Sequence, residues 1–397
     1  MQMGATGMHS AGGAPGTPGA LRSGAPGATF DLRRVSDSER KAAIAAAAEA
    51  LRSGGQVVFP TETVYGLGAD GTNAAAVERS RRLTGLPRMH PMAWHAESGE
   101  RAIEALGVRP PLHRRALRRL APGPVTFVVA LGSESLAAAR EGLGIGEGVI
   151  DDGGSAMVRV PSNETARALL REAGVPVVAA AATPPGGPAP TEWSGLGSFP
   201  PEQAAEIAAV LSEGPTLLRK PSTLVRLDAD GTWTMVREGA APERAVRGRM
   251  ERSLLFVCTG NTCRSPMAEA IAADLLLTMD QGIPTRVGSA GVAASGGEPP
   301  TPESVEALRQ ISVFPPPRLS RALTPEMLAE AEAVFVMTRS HLEAVRRIDA
   351  SSMDKVSLLD PAGEDVPDPI GSGQTVYNQT AKRLQELIRR RLAELPV

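Results

Sequence analysis

The chain has 397 residues, 42% hydrophobic and 22% charged, and its 42 Lys and Arg nearly balance its 44 Asp and Glu. At roughly 150 residues per domain this length predicts two or three domains, and the balanced charge argues against a uniformly basic nucleic-acid binder. No apolar run approaches the ~18 residues that cross a bilayer, residues 1–29 lack the apolar centre of a signal peptide, and two cysteines cannot build a disulfide framework. The resulting expectation is a cytoplasmic protein with no membrane partner, whose cysteines are reactive rather than structural.

Residues 1–30 are mostly Gly, Ala, Pro, Ser and Thr and predict a disordered arm, because such sequence cannot bury enough surface to offset its ordering entropy. In "SDSERKAAIAAAAEALRSGG", Ser36 and Glu39 have capping-box spacing, the alanines favour helix, and Gly54 and Gly55 stop it. The strand "QVVF" follows, then "PTETVYGLGAD", a turn rich in hydroxyls and glycine. Strands are predicted in "VTFVVAL", "AMVRV", "VPVVAAA", "STLVRL" and "TWTMV", and helices over 73–83, 100–106, 162–173 and 201–212. The basic run "LHRRALRRLAPG" reads as a solvated helix face. Residues 31–240 are expected to form a twisted open α/β domain, and the charged stretch 241–252 a linker.

From 253 to 397 the pattern restarts. "SLLFVC" is a buried strand, "SPMAEAIAADLLL" a helix, "TRVGSAG" a strand and turn, "TPESVEALRQ" a helix, "AVFVMT" a strand, and "TVYNQTAKRLQELIRRRLAEL" a long amphipathic helix. Alternating strands and helices predict a doubly wound parallel sheet with functional loops at the strands' carboxyl ends.

Both cysteines fall in one such loop, "CTGNTCRSP". Cys258 ends a strand, Thr259, Gly260, Asn261, Thr262 and Cys263 form a turn of mostly small residues, and Arg264, Ser265 and Pro266 open a helix. A turn of this kind at a helix N-terminus points successive N–H groups into one concavity suited to a phosphate dianion, and Arg264 adds a planar fork for two oxygens. The same field favours a nucleophilic thiolate at Cys258. Downstream, "EDVPDPIG" holds Asp368 between two prolines, a stiff mount for an acid that protonates a leaving group and then takes a proton from water.

"CTGNTCRSP" with a later "DP", "SAG" at 289–291 and "AVFVMT" at 333–338 resembles the low-molecular-weight protein tyrosine phosphatase family, from about residue 253 to the end. The resemblance implies Cys258 as nucleophile, Arg264 as phosphate clamp and Asp368 as acid and base, with Asn261 shaping the loop, Ser265 hydrogen-bonding the thiolate, and no cofactor. Its substrate would be a phosphoprotein. In the tyrosine-directed branch a bulky aliphatic residue usually precedes the second cysteine; the protein arginine phosphatase branch has threonine there, as at Thr262. Aromatic residues that sandwich a phenol after the acid are replaced here by Pro369, Ile370 and Gly371, with Tyr377 further on. Phosphoarginine is the expected substrate and phosphotyrosine the close alternative. Cys263, beside the nucleophile in this family's fold, is positioned to close a protective disulfide with Cys258.

In the first domain "FPTETVYGLGAD", "PGPVT" at 122–126, "VRVP" at 158–161, "STLV" at 222–225 and "VREGA" at 236–240 resemble the YrdC-like threonylcarbamoyl-adenylate synthase family. That resemblance implies ATP, threonine and bicarbonate as ligands, tRNA or double-stranded RNA as a partner, and a pocket of Thr61, Tyr65, His95, Thr126, Arg159, Ser222 and Arg237. The family's Lys-x-Arg-Pro segment appears here as "TGLPRMHP", with Thr84 and Leu86 at the cationic places and Arg88 a partial compensation, and a later Ser-Ala-Asn signature appears as Ala181, Ala182 and Thr183. Losing two cations from a triphosphate site predicts weak or absent adenylate synthesis, with binding of a small ligand or RNA retained or the domain kept only as a scaffold. The alternative is a working synthase, active in tRNA threonylcarbamoyladenosine modification, with an appended phosphatase. His90 and His95, five residues apart without nearby cysteine or paired carboxylates, are not a zinc pattern, and no metal site is expected.

Overall fold

The computed structural model describes residues 27–184, 186–193, 199–279 and 282–395. Residues 1–26 of the expected arm lie outside the described residues, and Ala28, Thr29 and Phe30 open the first strand instead.

The first domain is built on ten strands: β1 (Ala28–Asp31), β2 (Gln56–Phe59), β3 (Gly66–Asp70), β4 (Ala93–His95), β5 (Val125–Ala130), β6 (Ser155–Arg159), β7 (Val177–Ala181), β8 (Ile207–Ser212), β9 (Thr223–Leu227) and β10 (Trp233–Arg237). They form one mixed sheet in the order β1-β8-β2-β3-β7-β4-β6-β5-β9-β10. The helix Asp37–Arg52 starts at the capping box of Ser36 and Glu39 and packs with the helix Glu164–Ala173 over one end of the sheet.

Four expectations change. The segment 201–212 is a short helix, Pro201–Ala204, followed by β8, which lies between β1 and β2. Ile207, Val210 and Leu211 are fully buried, and a continuous apolar run looks alike as buried helix or central strand. "GLGAD" is strand rather than turn: a Cβ at Gly68 would lie 2.8 Å from Phe59 Cε1, so the glycine makes room for a ring on the neighbouring strand. The basic run forms the helix Pro111–Arg119, but His113 and Arg115 are buried against other parts of the chain. The stretch 241–252 contains the helix Glu243–Met250, whose Val246 and Met250 enter the first domain's core, so Glu251 alone connects it to the next strand.

The second domain has four parallel strands, β11 (Arg252–Cys258), β12 (Thr285–Gly291), β13 (Ala333–Val336) and β14 (Val356–Leu358), in the order β12-β11-β13-β14. Alternation along β11 sends Leu254, Phe256 and Cys258 towards the helices Arg264–Thr278, Pro302–Gln310 and Gln374–Glu394, and Leu255 and Val257 towards Pro325–Glu330 and Arg339–Ile348. Both faces are covered, as in a doubly wound sheet, and Cys258 sits at the carboxyl end of a central strand.

Candidate active site

Cys258 ends β11 with 3% exposure, and the turn that follows enters the helix Arg264–Thr278. The carbonyls of Cys258, Thr259 and Thr262 accept from the N–H groups of Val292 (2.9 Å), Ala293 (2.9 Å) and Thr301 (3.0 Å). Among the described residues, the N–H groups of Thr259, Gly260, Asn261, Thr262 and Cys263 have no protein acceptor. Free loop donors at a helix N-terminus are a ready site for a tetrahedral anion.

Asn261 gives the loop its shape. Its φ is +57°, a conformation that costs a non-glycine residue energy and that its side chain supports. Nδ2 donates to Ser265 Oγ (2.8 Å) and Ser289 Oγ (2.9 Å), and Oδ1 accepts from Arg321 N (2.8 Å). Ser289 in turn donates to buried Glu269 (2.6 Å). Ser265 Oγ lies 3.0 Å from Cys258 Sγ, within reach to hydrogen-bond the sulfur. Gly291 is required for close approach: a Cβ there would fall 2.4 Å from Thr259 O and 2.9 Å from Asn261 N.

Arg264 is 4% exposed; it donates through Nη1 to Val366 O (3.0 Å) and through Nη2 to Asp368 Oδ2, while its Nε has no partner among the described residues. Asp368 is partly exposed and also accepts from Ile370 N (3.2 Å). Cation and carboxylate thus stand side by side at the loop. Cys263 is buried with its sulfur 3.5 Å from Tyr377 Oη, 3.6 Å from Thr301 Oγ1 and 3.7 Å from Thr262 Oγ1. Burial first, and then the contact with Cys263, push the Tyr377 phenol up to about 12. Thr262 and Gly260 are half-buried and Thr259 is exposed.

Sequence reasoning missed Ser289, Glu269 and Arg321, which support Asn261, and His341, whose Nε2 is 2.9 Å from Thr259 Oγ1. Only the placement of His341 just after a parallel strand was a signal for it.

In the first domain the sheet register brings four expected residues together. His95 pairs with Arg159 across β4 and β6, Arg159 pairs with Thr126 across β6 and β5, and Thr126 Oγ1 lies 2.9 Å from Ser222 Oγ. Arg159 Nη2 reaches Thr61 Oγ1 (3.3 Å), Thr63 Oγ1 (2.6 Å) and Glu62 Oε1 (2.8 Å). Glu62, which sequence reasoning passed over, is buried; burial opposes its ionisation, but Arg159 and backbone donors outweigh it and hold the carboxyl below the usual range. Burial and the charge of Arg159 push His95 down to about 4.

Of the other two expected members, Tyr65 stands apart and Arg237 touches the group only through the backbone of Ser222. Tyr65 is fully buried, donating to Gly214 O (2.7 Å) and accepting from Glu213 N (3.0 Å), so its hydroxyl is consumed by backbone. Arg237 is exposed and donates to Ser222 O (3.0 Å). At the two altered places Thr84 turns its hydroxyl back to Ser80 O (2.8 Å) and Leu86 packs against the core. Arg88 is 86% exposed and pairs with Glu78 (3.1 Å). His90 and His95 do not converge: His90 Nδ1 lies 2.8 Å from Pro91 O and His95 Nδ1 lies 3.0 Å from Ala93 O.

The family model described as low molecular weight phosphotyrosine protein phosphatase matches residues 253–396, and the Sua5/yciO/yrdC model, described as telomere recombination, matches 49–239. The chain is similar to a protein-arginine-phosphatase of Bacillus subtilis, 38% identical over 36% of this chain and 95% of the relative. It is similar to the low molecular weight protein-tyrosine-phosphatase PtpB of Staphylococcus epidermidis, 30% identical over 34% of this chain and 93% of the relative. A threonylcarbamoyl-AMP synthase of Bacillus subtilis is 30% identical over 51% of this chain, which spans only 55% of that relative's length. The chain therefore belongs to the low molecular weight protein phosphatase family through its second domain, a hydrolase fused behind a YrdC-like domain.

Proposed function

We propose that the second domain, 253–397, hydrolyses phosphoarginine in proteins through a phosphocysteine intermediate. The observation that carries this is the set of five loop N–H groups, Thr259 to Cys263, that have no protein acceptor among the described residues and lie between Cys258 and the Arg264–Asp368 pair. The phosphoryl group displaces Asp368 from Arg264, which with the loop donors holds its non-bridging oxygens. Cys258 Sγ attacks phosphorus, the P–N bond breaks, and protonated Asp368 gives its proton to the leaving guanidine nitrogen. Asp368 then takes a proton from the water that attacks phosphocysteine, and inorganic phosphate leaves while Ser265 Oγ stabilises the returning thiolate. The reduced thiols of a cytoplasmic setting keep Cys258 competent.

Thr262 supports phosphoarginine over phosphotyrosine: its short hydroxyl-bearing side chain at the half-buried loop can accept from a guanidinium, and no aromatic pair follows Asp368 to stack on a phenol. Turnover of phosphoarginine and phosphotyrosine peptides by the wild type and by Thr262→Ile, with Cys258→Ser as blank, tests this. A shift of preference towards phosphotyrosine in Thr262→Ile is expected; the same preference in both proteins refutes the selection by Thr262.

For the first domain we propose a ligand pocket around Thr61, His95, Thr126, Arg159 and Ser222 that no longer makes adenylate. Thr84 and Leu86 are engaged elsewhere and leave a triphosphate without two of its cations, with Arg88, 86% exposed beside Glu78, as the partial compensation. The basic helix Pro111–Arg119 is largely taken up by contacts within the chain, so no RNA contact is assigned to it.

A further inference from the structure

His341, in the first turn of the helix Arg339–Ile348, reaches the phosphate loop from outside the motif. It is 3% exposed, and both ring nitrogens are engaged: Nδ1 lies 2.8 Å from Oγ1 of Thr338, the helix N-cap, and Nε2 lies 2.9 Å from Thr259 Oγ1. The sheet brings it there. β13 pairs with β11, and Met337 N donates to Val257 O (3.1 Å), so this helix begins beside the end of the strand that carries Cys258.

Thr259 directly follows Cys258, and its side chain is on the exposed side of the contact. Two backbone ties, Val292 N to Cys258 O and Ala293 N to Thr259 O, hold the carbonyls on either side of it. The hydroxyl is the third point, and it fixes the rotation of the residue between those ties. On the far side of the loop Asn261 does the same work through Ser265, Ser289 and Arg321.

We propose that His341 is a positioning residue for phosphate capture: by holding the Thr259 hydroxyl it keeps the N–H groups of Thr259 and Gly260 aimed at the phosphoryl oxygens. This rests on the phosphatase activity proposed above. Burial, then the charge of Arg264, push the imidazole down to about 4 against the opposing pull of Asp368 and Asp365, so the ring is neutral near pH 7. A neutral ring donates at one nitrogen and accepts at the other, serving one threonine in each sense, and it adds no second cation to compete with Arg264.

The test is a double-mutant cycle in the full chain, reading the inhibition constant of inorganic phosphate together with kcat and KM for p-nitrophenyl phosphate. His341→Leu and Thr259→Val should each weaken phosphate inhibition and lower kcat/KM by roughly five-fold, the scale of one lost hydrogen bond. The double variant should be no worse than the poorer single, and His341→Gln, whose amide reaches the Nε2 position, should recover most of the loss. Should His341→Leu not fold, His341→Asn, whose shorter amide falls short of Thr259, takes its place in the cycle, with Thr259→Val still expected to lose roughly five-fold and His341→Gln to stay near the wild type. Additive losses, or unchanged phosphate inhibition accompanied only by a lower melting temperature, overturn the proposal. A wild type that turns over neither a phosphate ester nor phosphoarginine overturns the phosphatase activity itself, whereas an active wild type with an additive cycle overturns the role of His341 alone.

Discussion

Arg115 of the first domain and Glu332 of the second meet fork to fork across the domain boundary, Nη1 to Oε1 at 3.1 Å and Nη2 to Oε2 at 2.5 Å. Arg119 adds a contact to Glu332 at 2.7 Å, and Arg115 also donates to the carbonyls of Arg249 (3.1 Å), in the first domain's last helix, and of the connecting residue Glu251 (2.8 Å). The side chains of the pair are 7% and 22% exposed, so removing one partner leaves a largely desolvated charge. Glu332→Gln or Arg115→Met should each destabilise the protein by about 3 kcal/mol, and the apolar pair Arg115→Met with Glu332→Leu by less than the sum. Urea unfolding followed by circular dichroism checks both, with one transition expected in the wild type and two once the boundary is broken. Equal midpoints in all four proteins would mean that the Arg115–Glu332 pair contributes nothing to stability.

The pair also marks where sequence stops being informative. The nucleophile loop was legible because its spacing, small residues and following helix are local, and the structure places Cys258, Asn261, Arg264 and Ser265 in one turn. The burial of Arg115 was not legible, since its partner lies 217 residues away and a basic helix face has the same pattern in solvent or at an interface. His341 was missed for the same reason, with Thr259 82 residues distant. β8 was misread because "IAAVLS", buried except for the half-buried Ala208, has no polar side to reveal a period. Tyr65 belonged to a motif that pointed to a ligand, yet its hydroxyl closes backbone groups of the loop after β8.

The loss of adenylate synthesis proposed for the first domain should be reversible in part. With Thr84 bonded to its own helix and Leu86 against the core, nothing at those places can meet a phosphate. Thr84→Lys with Leu86→Arg should raise ATP affinity at least roughly ten-fold, the effect of one good charge-assisted contact, at some cost in stability from the lost packing of Leu86. Isothermal titration with ATP, and threonine-dependent release of pyrophosphate, provide the readouts. Release by the wild type at the rate of a working synthase would refute the loss of function.

Stability should fall on mild acidification through two buried histidines, one in each domain. His95 and His341 are both held down to about 4 in the folded chain, chiefly by burial, while an unfolded histidine titrates near 6.5. Between those values the unfolded chain binds protons that the folded chain refuses, so stability is full above pH 6.5, declines as pH drops towards 4, and stops declining below it. At pH 5 a carboxylate with an unfolded value near 4.5 is already about a quarter protonated, so the histidine share is read as the difference between the wild type and each histidine variant over pH 7 to 5. Over it His95 should cost about 2 kcal/mol, and His95→Gln, which cannot take the proton, should flatten the decline by that amount. His341→Gln should flatten it in the second domain. Urea midpoints at pH 7, 6 and 5 for the three proteins decide the matter, and parallel lines would show that neither ring is kept neutral by its surroundings.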